Sequence, residues 1–166
     1  MNAVIPRLCL VLPLAALGAH AFDAGAFVGV WKLNVQASRT SEGKPLTLNR
    51  SHMISILQQG DAIVWSEQRI AADGKTFSNF ASIGSPGEEA PLVEFLDGAS
   101  NRDSRIALTV KGASLEQRFR GSHGPGKEFR GLRRLRISAD GKSLTAEFEA
   151  NRYGVNVSWT EVWDRF

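Results

Sequence analysis

The sequence predicts an all-β protein: one antiparallel, up-and-down barrel of eight to ten strands. Three observations carry that prediction. Apolar and polar residues alternate at period two along most of the chain, and no segment sustains a helical stripe. Turn residues interrupt the alternation at short intervals: Gln59-Gly60-Asp61, Asp73-Gly74, Asp97-Gly98, Lys111-Gly112 and Asp140-Gly141. In each, glycine supplies the positive φ that tight hairpins need. With connections this short, sequence neighbours are neighbours in space, and closure removes the two bare edges that an open meander would leave.

The first segment is not part of that barrel. Residues 1–7 carry one charge, Arg7, residues 8–18 are almost wholly apolar, and Ala19-His20-Ala21 offers small residues where a signal peptidase cuts. Residues 1–21 read as a secretory leader and residues 22–166 as one domain, placed in the periplasm or outside the cell. The apolar run is too short to span a bilayer, and no later run approaches the length of about 20 residues that a spanning helix needs. Cys9, the only cysteine, leaves with the leader, so the domain is expected to stand without disulfides.

The whole chain has 20 Lys and Arg against 17 Asp and Glu, and loss of Arg7 brings it closer to neutral. A small surplus without a clustered basic face does not make a nucleic-acid binder. His52 and His123 are the only histidines beyond the leader, too few for a metal site of several His and Cys ligands, and no Gly-x-Ser-x-Gly elbow occurs. No cofactor is expected.

The first strand, 27–34, holds Gly29-Val30-Trp31-Lys32-Leu33-Asn34. Trp31 is expected to plug one end of the barrel, and Gly29 to let the backbone pass close beside it. Further strands are expected at 51–58, 62–70, 76–83, 92–96, 104–110, 114–120, 128–138, 143–150 and 155–164. If residues 58–61 close a hairpin, Ile56 faces Ile63, Ile54 faces Trp65, and His52 faces Glu67, all on the inner side. His52 and Glu67 then form either an acid-base pair near a pocket mouth or a weak pair at a solvated rim. The polar segment 84–91 is either a lid over one barrel end or a surface loop.

Arg118, Arg120, Lys127, Arg130, Arg133, Arg134 and Arg136 form a basic run. A two-residue turn at Asp140-Gly141 sorts it by face. Arg134 falls opposite Glu147 and Arg136 opposite Thr145, an ordinary charged exterior. Leu135 falls opposite Ala146, Ile137 opposite Leu144, and Arg133 opposite Phe148, on the apolar side. An inward Arg133 requires a carboxylate, water or a ligand anion, with Glu67 the nearest candidate in the chain, unless a bulge near Gly131 turns it outward.

The Gly29 to Asn34 motif, the Ala-Asp-Gly-Lys turns at 72–75 and 139–142, and a last strand ending in Val162-Trp163 together resemble the small exported bacterial lipocalin-like (calycin-type) β-barrel proteins. The resemblance implies that Trp31 packs beneath an arginine from the end of the chain, Arg165 or Arg152. It also implies a barrel that binds a small hydrophobic or amphipathic, and with Arg133 inward an acidic, molecule; the inner-face registers give Trp65, Glu67, His52, Arg133 and Phe148 as candidate lining residues. A non-enzymatic binder of this kind is the leading expectation. The alternatives are a small barrel enzyme using acid-base residues of the cavity, and an envelope protein with a filled barrel.

Overall fold

Residues alternating in and out along a strand can bury one face only if the sheet wraps around it, and that is how the chain folds. The computed structural model describes residues 24–97 and 99–166, so the expected leader lies outside the described residues. A single 3-10 turn, Gly25–Phe27, precedes β1 (Gly29–Leu33) and the two-residue β2 (Arg39–Thr40). Nine longer strands follow: β3 (Asn49–Gln59), β4 (Ala62–Ala71), β5 (Thr76–Ile83), β6 (Ala90–Leu96), β7 (Ala99–Lys111), β8 (Ser114–Ser122), β9 (Glu128–Ile137), β10 (Ser143–Arg152) and β11 (Val155–Arg165). From β3 to β11 each pairs antiparallel with the next, and β1 joins β3 to β11 and closes the ring. Ten strands therefore make the barrel; β2 adds a short rung on β11, Trp159↔Thr40 and Thr160↔Arg39. Among the described residues no helix is long and apolar enough to cross a membrane.

The ten predicted strands all form, with ends differing by a few residues. One register differs. The turn between β3 and β4 is tighter than a loop over 58–61, since Gln59 pairs with Ala62. Ile56 therefore lies opposite Trp65, Ile54 opposite Glu67, and His52 opposite Arg69. A slip of two leaves every side chain on its predicted face, and His52 reaches Glu67 along the diagonal. The β9–β10 register is as predicted, Phe148↔Arg133 and Glu147↔Arg134 included. No bulge occurs at Gly131, which pairs with Ala150 in an unbroken ladder. Gly131 serves another purpose: a Cβ there would collide with the Phe119 ring and stand 2.8 Å from the Glu149 carbonyl.

One end of the barrel is packed solid. Trp31, Ile56, Ile63, Trp65, Ile83, Leu108, Leu115, Leu135, Leu144 and Trp163 are fully buried there. Trp31 donates from Nε1 to the Phe27 carbonyl at 2.9 Å, and the Arg165 guanidinium lies 4.6 Å above its ring. Arg165, not Arg152, is the arginine that covers this tryptophan. Gly29 sits at φ 149°, and a Cβ there would stand 3.8 Å from Arg165, so its value lies in the backbone conformation as much as in the space. The 84–91 segment crosses this packed end, with the Gly87 amide donating to the Leu108 carbonyl at 2.7 Å.

Candidate functional site

The opposite half of the interior is not filled. Moving from the packed end along each strand, the inward residues change character at about the same height. Ile54 gives way to His52 on β3, Trp65 to Glu67 on β4, Ala81 to Asn79 on β5 and Leu115 to Gln117 on β8. On β9 Leu135 is followed by Arg133, and on β11 Trp163 by Glu161. Above that level lies a cavity of about 410 Å³ that reaches the rim formed by the 46–49 segment and the ends of β4, β6 and β10. Its walls are apolar and aromatic, including Leu92, Phe119, Phe129, Phe148 and Trp159. Phe119 stacks on Phe148 (ring centroids 5.6 Å apart), and Phe148 on Trp159 (4.1 Å, planes 11° apart). The missing side chain at Gly131 makes room for this stack.

The cavity floor is a charged network. Arg133, buried on the inner face as its parity demands, approaches Glu161 through Nε at 3.1 Å and Glu67 through Nη2 at 3.4 Å. Its Nη1 donates to Gln117 Oε1 at 3.0 Å. The Nε contact with Glu161 has the distance of an ion pair but lacks hydrogen-bond alignment. Glu67 also receives His52 Nε2 on one oxygen and the Asn79 amide on the other, at 3.1 Å. Glu161 accepts the indole N–H groups of Trp159 at 2.8 Å and Trp163 at 3.3 Å. Burial alone would raise the Glu67 carboxyl, but Arg133 and His52 outweigh it and hold it well below the usual carboxylate range. Burial likewise opposes the Arg133 charge, and Glu161 and Glu67 together more than compensate. Each buried charge here is met by opposite charge and by hydrogen bonds, the condition under which such a cluster is tolerated.

His52, Glu67, Arg133 and Phe148 thus line one cavity. Trp65 does not: it lies one inward position below Glu67 on β4, and the slip of two sets it opposite Ile56 instead of Ile54, fully buried in the packed end. Gly29, Trp31 and Arg165 belong to the closure of the barrel. The sequence reading missed Glu161, Gln117, Asn79, Arg69 and Arg152, all on the inner side. Parity was the available signal: Glu161 lies between inward Trp159 and Trp163, and Arg69 continues the series Ile63, Trp65, Glu67.

On the far wall Glu94 accepts Ser104 Oγ at 2.5 Å and the Asn101 amide at 3.1 Å, with His123 Nε2 at 3.5 Å. Among the described residues no group of three or more His, Cys, Asp or Glu side chains is arranged to hold a metal ion. A broader depression of about 700 Å³ lies on the outer face over Gly131. It is open to solvent, and Arg120 on its edge is already bound by Glu89 at 2.7 and 2.5 Å, so the interior is the better candidate.

No protein-family model and no curated protein matches the chain. Among solved structures it is similar to Rv2717c from M. tuberculosis, with 18% identity and a TM-score of 0.50, over 86% of this chain and 94% of that one. It is also similar to zebrafish ileal bile acid-binding protein complexed with cholic acid, with 16% identity and a TM-score of 0.49, over 85% and 99%. At such identities the likeness is one of fold, a closed, lipocalin-like antiparallel barrel.

Proposed function

We propose that the protein is an exported binder that holds a small, apolar or amphipathic molecule inside the upper half of its barrel. The observation that carries this reading is the half-filled interior. A cavity of about 410 Å³ lies within the range of about 300–1,000 Å³ that small-molecule sites occupy. Its aromatic walls supply apolar contact, and its few polar groups converge at the floor. A barrel meant only to be stable would close that volume with leucine and isoleucine, as the other half does. The His52 and Glu67 pair is committed to Arg133, Asn79 and the floor of the cavity, which favours binding over acid-base turnover. The leader at residues 1–21 supports a periplasmic or secreted location.

The test is uptake of a neutral apolar fluorophore, N-phenyl-1-naphthylamine, by the domain purified without its leader. Saturable enhancement at one site per chain is expected, with energy transfer from Trp159 in the cavity wall. Leu96→Trp, which adds a ring at the rim of the cavity, is expected to weaken uptake at least about tenfold while the far-ultraviolet circular dichroism stays unchanged. A folded protein that takes up no probe would refute the reading.

A further inference from the structure

The three arginines of the cavity are not provided for equally. Arg133 lies between two carboxylates. Arg69, inward near the end of β4, and Arg152, the last residue of β10, line the same cavity at its mouth. Among the described residues neither has a carboxylate within ion-pair distance or a hydrogen-bond acceptor. Each lies instead against an aromatic face: Arg69 is 4.5 Å from the centroid of Phe77, and Arg152 is 5.5 Å from Phe148 and 5.7 Å from Trp159.

That arrangement leaves donors unused. Stacking occupies the π face of a guanidinium, while its N–H groups point outward in the plane and remain free for a bidentate acceptor. The nearby acids are already engaged. Glu67 is held by Arg133, His52 and Asn79, Glu161 by Arg133 and two indoles, and Glu94 by Ser104 and Asn101. Burial, together with the like charges of Arg69 and Arg133, pushes Arg152 below the ordinary arginine value. The mouth therefore carries two cations that repel each other and whose nearest uncommitted space is the cavity.

We propose that Arg69 and Arg152 form an anion subsite at the cavity mouth that takes the carboxylate of an amphipathic acid, whose apolar body lies inward along Phe119, Phe129 and Leu92. This rests on the binding reading above and adds the class and orientation of its ligand: tail inward, head at the rim. A buried Arg133 with its own carboxylates has no need of the ligand's charge, and the floor is reached by the apolar end. Neutralising two like charges at once is what distinguishes an acid from an alcohol of equal length.

Dodecanoate and 1-dodecanol, competed separately against N-phenyl-1-naphthylamine at pH 8 and low salt, decide the matter. The acid is expected to bind at least about tenfold more tightly than the alcohol, and added salt to narrow the gap. Arg69→Met and Arg152→Met should each weaken the acid by about tenfold and leave the alcohol unchanged. Equal affinities of acid and alcohol in the wild type, with the probe still bound, would overturn the anion subsite and leave the binding reading standing. Absence of probe uptake would instead remove the binding reading itself. Variants that lose acid and alcohol alike would also overturn the subsite, since the arginines would then be part of the wall rather than a clamp. The wild-type comparison needs no variant, so a misfolded one does not blunt the test.

Discussion

The two halves of the barrel are made by the same strands and differ in what those strands point inward. In the closed half β4 contributes Ile63 and Trp65; two residues on it contributes Glu67 and Arg69. β9 moves from Leu135 to Arg133 and β11 from Trp163 to Glu161. The closed half is an apolar plug whose large side chains lose all contact with water, and it secures the fold by area. The open half gives up that area to desolvated charges that must be paired one by one, a poor source of stability and a good source of shape and polarity. Division of labour along the strand direction lets one sheet be stable at one end and chemically specific at the other.

Three experiments would break or sharpen this division. The largest effect is expected at the plug. Trp31→Ala should destabilise by about 3–5 kcal/mol, because the fully buried indole leaves a cavity that a closed ring of strands cannot collapse into. Dodecanoate affinity of the remaining folded protein should be unchanged. A loss below about 1 kcal/mol in urea unfolding would show that Trp31 is not what seals this end.

The second experiment concerns the charged floor. An inward Arg133 without partners would tolerate Arg133→Met, since removing a costly lone charge leaves the fold intact or slightly stabilised. With Glu67 and Glu161 both lying against the guanidinium, the exchange instead strands two buried carboxylates, and a loss of about 3 kcal/mol at pH 7 is expected. The pH dependence carries the sign. In the wild type the Glu67 carboxyl lies well below its ordinary 4.5, so its contribution is fully present above that value and is lost as the pH falls through the folded pKa. In Arg133→Met, the burial that pushes the Glu67 carboxyl up is no longer opposed by Arg133, so acidification from pH 7 to 5 should restore stability rather than leave it level. Parallel profiles for the two proteins would mean that the network is not ionised as described.

The smallest effect belongs to the outer face. Arg134 and Glu147 are cross-strand partners by register, yet Arg134 reaches Glu116 at 3.6 Å and Glu149 at 3.8 Å, while Glu147 meets Arg136 at 3.6 Å. A charge with two alternative partners replaces one by the other, so a double-mutant cycle on Arg134 and Glu147 should return a coupling under about 0.5 kcal/mol that fades with salt. A coupling above about 2 kcal/mol would make this surface as specific as the interior.

Much of the closed half was legible in the sequence because it obeys parity and turn chemistry. Trp31 follows from its place after Gly29 in the first apolar strand, and the inward face of β9 from counting by twos out of the Asp140-Gly141 turn. The open half was less so. Counting places Arg133 on the inner face, but which acids meet it depends on how β4 and β11 stagger against β9 across the barrel, a length that no local pattern records. The slip of two between β3 and β4 shows the same limit on a small scale: faces survive it, while levels do not, and Trp65 moved from the expected cavity wall into the plug. Glu161 could have been found. An acid at an inward position between two tryptophans poses the same question as an inward arginine, and each is the other's answer.

Closure also sets the order in which the chain can fold. β1 pairs with β11 through Trp31↔Arg165 and Leu33↔Trp163, so the first strand made waits for the last before its outer edge is satisfied. Hairpins from β3 onward can form from local contacts as they appear, whereas the ring, the Arg165 cover over Trp31 and the dry end of the barrel form only when the whole chain is present. Such a topology places its slow step at the end, in the millisecond-to-second regime of sheet proteins dominated by non-local pairs. Until that step, Trp31 and the inner face of β3 stay open to water, to chaperones and to other chains.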